Sequence, residues 1–182
     1  ISKSNINYFI QQSSYFDANH NKTLYDLENE IIKICNYLLN KKEVTKETID
    51  LLMPKSLEMN VFNLLNSISN KKGENAIRLF NEMYMSNEPA LFILYMIVRQ
   101  LRNMLNYKVI MAKGYTEGVI FSKMSLSKYE YQKVATQSNN FTISQLEKAL
   151  FHCLETDKTI KSSSVDERLA LEILITNLCY KI

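Results

Sequence analysis

The stretch PALFILYMIVRQLRNMLNYKVIM, residues 89–111, decides the fold class. Pro89 sits where a first-turn proline belongs, since its fixed φ suits a helix start and its missing N–H is not needed there. No further Gly or Pro follows until Gly114, which is expected to cap the helix. Phe92, Leu94, Tyr95, Ile97, Val98, Leu101, Leu105 and Val109 cover much of the girth. A helix that is apolar on most sides belongs at the centre of its domain.

On the N-terminal side, Val61, Leu64, Leu65 and Ile68 give residues 60–69 one apolar face. Gly73 interrupts, and Ala76, Ile77, Phe80 and Met83 form the next face. Beyond Gly114, residues 115–121 predict a short connecting helix and residues 127–139 another. Thr142 with Gln145 three residues on is a capping box, opening a helix over 143–161. Its expected face is Leu146, Ala149, Leu150, Cys153, Leu154 and Ile160. After the polar Ser162–Ser164, Asp166 starts a last helix through Cys179, with Leu169, Ile173 and Leu178 inward.

Nearer the start, a helix is predicted over 6–16. A second, over 22–39, is capped by Asn19 or Asn21 and carries Leu24, Leu27, Ile31, Ile34 and Leu38 at steps of three, four and seven. Thr45, Glu47 and Thr48 begin a short helix that must end by Met53, because Pro54 disfavours helix before it. Residues 53–58 are therefore the expected domain boundary. Strand alternation and internal repeats are both absent from the pattern. All-α is the reading.

The composition agrees. Of 182 residues, 46% are hydrophobic but only 3 are Gly and 2 Pro, the residues that β-rich folds spend on turns. A net charge of +3 demands neither nucleic acid nor an anionic membrane as partner. Cys35, Cys153 and Cys179 are too scattered for a disulfide framework, which fits a reducing cytosol and a cytoplasmic location. No apolar run reaches the roughly 18 residues of a membrane span. The sequence starts at Ile1, in what reads as mid-helix, so it is expected to be a fragment of a longer chain.

Catalytic signatures are missing from the pattern. Three glycines supply neither a GxxxxGK[ST] loop nor a GxGxxG turn, so no nucleotide cofactor is expected. His20 and His152 are far apart, and no metal site is expected. His152 adjoins Cys153, but neighbouring helical positions diverge by about 100° and do not make a dyad. The carboxylates Glu28 and Glu30 read as solvated helix surface.

Three segments together resemble the bacterial DNA polymerase III delta subunit. In residues 60–108, the order N-[IV]-F (Asn60, Val61, Phe62), A-[LI]-x-L-[LF] (Ala76, Ile77, Leu79, Phe80), E-P (Glu88, Pro89) and RQ[FL]R (Arg99, Gln100, Leu101, Arg102) is similar to that family's C-terminal domain. Residues 141–175 resemble its ending through Phe141, Thr142 and Leu146, then Asp157, Ile160 and Lys161, then Ala170, Leu171 and Glu172. Leu27, Glu30, Ile31 and Lys33 resemble a helix of its lid domain. Each motif is modest; their order and spacing carry the likeness.

That resemblance implies a small helical lid domain over 1–55 and a collar bundle of five to seven helices over 56–182, without the family's N-terminal AAA+-like domain. It implies a non-catalytic role: the collar would join the gamma/tau and delta prime subunits of the clamp loader. The sliding clamp would be held through the missing N-terminal domain. Primer-template DNA is a further expected partner, and a membrane is not. Tyr84, Met85, Tyr95, Tyr107, Met111, Tyr115 and Phe121 serve either as docking surface or as ordinary core. Arg99 and Arg102 either face a neighbouring subunit or the DNA chamber, or form an internal ion pair with an acid such as Asp157; the ion pair is the favoured reading. Lys158 and Lys161 border the serine loop and either touch template phosphates or simply end a solvated helix. A helical nucleic-acid-binding module, with residues 45–53 and 60–69 as a helix-turn-helix, is the competing class, and the ATPase or delta prime subunit of the same machine a third.

Overall fold

The computed structural model describes residues 1–13, 15, 23–38, 43–53 and 57–182. Every regular element among them is an α-helix, so the chain is all-α. Contacts divide it into two compact units, Ile1–Ser56 and Leu57–Ile182.

The first unit holds α1 (Lys3–Ser13), α2 (Leu24–Leu38) and α3 (Lys46–Leu52). α3 packs on the other two and closes a small core of Phe9, Ile34, Ile49 and Met53. Thr45 caps α3 by accepting the Thr48 N–H, and Met53 ends it. The Tyr8 hydroxyl donates to Asp50 Oδ1 at 2.6 Å, tying α1 to α3. α1 starts at Lys3, earlier than the expected residue 6. Phe16, the caps Asn19 and Asn21, His20, and Pro54 to Ser56 at the expected boundary lie outside the described residues. α2 instead begins with a reciprocal pair: Thr23 N–H donates to Asp26 Oδ2 at 2.7 Å and Asp26 N–H to Thr23 Oγ1 at 3.3 Å. Of its predicted face, Ile34 is buried, Leu27 and Leu38 are half-buried, and Leu24 and Ile31 face solvent.

The second unit is a bundle of seven described helices: α4 (Leu57–Ser69), α5 (Gly73–Met85), α6 (Ala90–Ala112), α7 (Glu117–Met124), α8 (Lys128–Ser138), α9 (Ile143–Ser162) and α10 (Glu167–Tyr180). α6 is the axis. It touches α4, α7, α8, α9 and α10, and Ile93, Ile97, Leu101 and Met104 on it are fully buried. Pro89 is the residue before α6 rather than its first, because its ψ of 134° is still extended. Gly114 ends the helix as predicted: at φ +77° its N–H donates to Met111 O at 2.9 Å. Gly73 does not break a helix but begins α5. The turn before it is made by Lys71 at φ +54°, and a Cβ on Gly73 would lie 2.5 Å from the Tyr180 hydroxyl.

Helix starts follow local chemistry. Thr142 and Gln145 form the predicted capping box on α9, Asp166 caps α10, and Ser127 with Glu130 forms a second capping box on α8. One predicted face is rotated, and a second departs at a single residue. Leu169 and Ile173 of α10 are each 50% exposed, while Ala170, Leu171, Leu174, Ile175, Leu178 and Cys179 point inward. On α9, Leu154 is 50% exposed instead of buried. Both helices carry apolar residues on more than one side, so periodicity alone does not choose between the sides.

One polar chain crosses this core. Gln137, 1% exposed on α8, donates from Nε2 to Phe62 O at 2.8 Å and to Asn66 Oδ1 at 2.9 Å, and accepts from Gln100 Nε2 at 2.9 Å. Its amide is thereby satisfied on both ends, so burying it carries no unpaired-group penalty. No described helix is long and apolar enough to cross a membrane.

Gly114→Ala should cost about 1 kcal/mol in urea unfolding, since an L side chain is strained at positive φ. Gly118→Ala, with open space where the Cβ goes, should be neutral or gain up to about 1 kcal/mol.

Candidate functional site

α6 and α9 pack against each other, and a groove stays open beside their contact. The result is a groove of about 360 Å³ lined by Leu91, Leu94, Tyr95 and Val98 from α6 and by Leu150, Cys153, Leu154, Asp157 and Lys161 from α9. Leu94 and Cys153 are buried and form its floor. Leu91, Tyr95 and Leu154 are 40%, 58% and 50% exposed and form its walls. Tyr95 stacks on Phe92, rings 6.1 Å apart and 8° from parallel, and Phe92 is itself exposed. Large apolar side chains gathered in water beside a complete core mark a surface that something covers.

The groove has a charged rim but no reactive group. Lys161 Nζ meets Asp157 at 2.8 Å across one turn of α9, so the two neutralise each other. Burial pushes the Cys153 thiol up to about 12, which keeps it protonated and inert. Its neighbour His152 is half-buried, 6.3 Å edge-on from the Phe151 ring. Among the described residues, no three His, Cys, Asp or Glu side chains come together as a metal site would require.

Arg99 and Arg102 part company. Arg99 points to the α4–α8 side, where it meets Glu130 at 2.6 Å and Glu58 at 3.5 Å. The expected internal ion pair therefore exists, but its acids are Glu130 and Glu58; Asp157 belongs to Lys161. Glu130 has a second task, since its other oxygen accepts the Ser127 N–H at 3.1 Å and closes the α8 capping box. Sequence reasoning overlooked Glu130, although S-x-x-E at 127–130 is a readable signal. Arg102 is exposed, on the same stripe as Leu91, Tyr95 and Val98. Lys158 faces solvent and pairs with Glu155 at 3.0 Å. The four cations predicted from sequence thus do not form one patch.

The aromatic and Met candidates also divide. Tyr107 is core, edge-on to Tyr131 at 5.8 Å, and Tyr84 is half-buried. Met85, Tyr95, Met111, Tyr115 and Phe121 are exposed.

Known proteins resemble this chain over most of its length. The family model for the DNA polymerase III delta subunit, C-terminal domain, matches residues 58–178. DNA polymerase III subunit delta of Bacillus subtilis (strain 168) is 27% identical over 158 residues, which are 87% of this chain and 46% of that protein. The solved structure of the Bacillus subtilis DNA clamp loader delta protein superposes with a TM-score of 0.73 at 26% identity, covering 86% of this chain and 46% of the other. The chain spans about half the length of these relatives.

Replacing Arg99 by Met should cost about 3 kcal/mol in chemical denaturation, because it strands a poorly exposed Glu130 carboxylate. Adding Glu130→Gln should recover part of that loss, while Lys158→Ala should stay within about 0.5 kcal/mol of the parent. A thiol reagent at neutral pH should label the exposed Cys35 quickly, and Cys153 and Cys179, both buried with raised pKa values, only after unfolding.

Proposed function

The chain belongs to the family defined by the C-terminal domain of the DNA polymerase III delta subunit, and from that premise we propose that it is a non-catalytic assembly part of a bacterial clamp loader. In this reading, residues 56–182 are a collar bundle that joins the gamma/tau and delta prime subunits, and residues 1–55 are a lid-like helical domain. An AAA+-like domain elsewhere in the protein would hold the sliding clamp, and the machine would work in the cytoplasm. The observation that carries the reading is the α6–α9 groove. The bundle has a complete buried core of its own, and still leaves Leu91, Tyr95 and Leu154 in water. A scaffold element needs such a second apolar face, because a lasting interface between protein chains commonly buries roughly 2,000 Å² or more.

Direct DNA contact has weaker support. Lys158 and Lys161 lie by the Ser162–Ser164 loop, where template phosphates would pass, but each is already paired with an acid. The helix-turn-helix alternative is disfavoured: α4 carries no Lys or Arg, and its Leu57, Val61, Leu64, Leu65 and Ile68 are spent on the core. A recognition helix would be basic and exposed.

Full-length protein co-expressed with the loader's ATPase and delta prime subunits should co-purify with them as one complex. Helical, folded protein that elutes alone would overturn the assembly role. Tight binding to duplex DNA that collapses between 50 and 200 mM salt would favour the nucleic-acid module instead.

A further inference from the structure

We draw no further inference here: the strongest candidate, the apolar cleft of the first unit lined by Ile6, Phe9 and Ile10 of α1 and by Leu27, Ile31 and Ile34 of α2, carries nothing, because nothing in the structure shows what covers it.

Discussion

The second unit depends on surrounding one helix. α6 carries so many apolar side chains around its girth that no single layer of neighbours could cover it. The chain answers by placing α4, α7, α8, α9 and α10 in contact with it. Each neighbour contributes buried apolar side chains to the one cluster that holds Ile93, Ile97, Leu101 and Met104. Hydrophobic burial is non-directional and so favours this enclosure without specifying its details. The details come from caps and from a few polar groups. Where the enclosure is incomplete, between α6 and α9, the surface left over has the character of a binding site.

The polar groups inside do different work from the apolar ones. Arg99 reaches from the central helix to an acid on each of two others, so it links α4, α6 and α8 through one side chain. Glu130 receives it and at the same time satisfies a backbone N–H at the start of α8. A local feature, the helix cap, and a tertiary one, the ion pair, therefore share a single carboxylate. This kind of sharing raises the cost of losing either partner.

Much of this was legible in the order of residues. The central helix, its Gly114 terminus, the capping box at Thr142 and the Asp166 start are local events, each determined by a handful of neighbouring side chains. The directions in which helices face were less legible. α10 carries Leu169 and Ile173 on one side and Leu171, Leu174, Ile175 and Leu178 on another, and only packing against α4, α5, α6 and α9 decides which side is core. The need of Arg99 for an acid could be read from its apolar surroundings. Its acids could not, since Glu58 and Glu130 are brought together only by the bundle. The groove belongs to the same category: it exists because α9 lies beside α6, and nothing in either helix alone announces it.

The buried amide of Gln137 carries a consequence for how the bundle behaves as a mechanical object. Apolar seams are forgiving, because one leucine can replace another when two helices slide past each other by a turn. An amide wedged between the Phe62 carbonyl, Asn66 and Gln100 has no such freedom, since displacement would abandon three bonds in a place water cannot reach. It acts as a dowel through α4, α6 and α8. Those three rods are thereby locked against shear, and force applied to one of them passes to the others as rotation of a stiff body instead of creep between its parts.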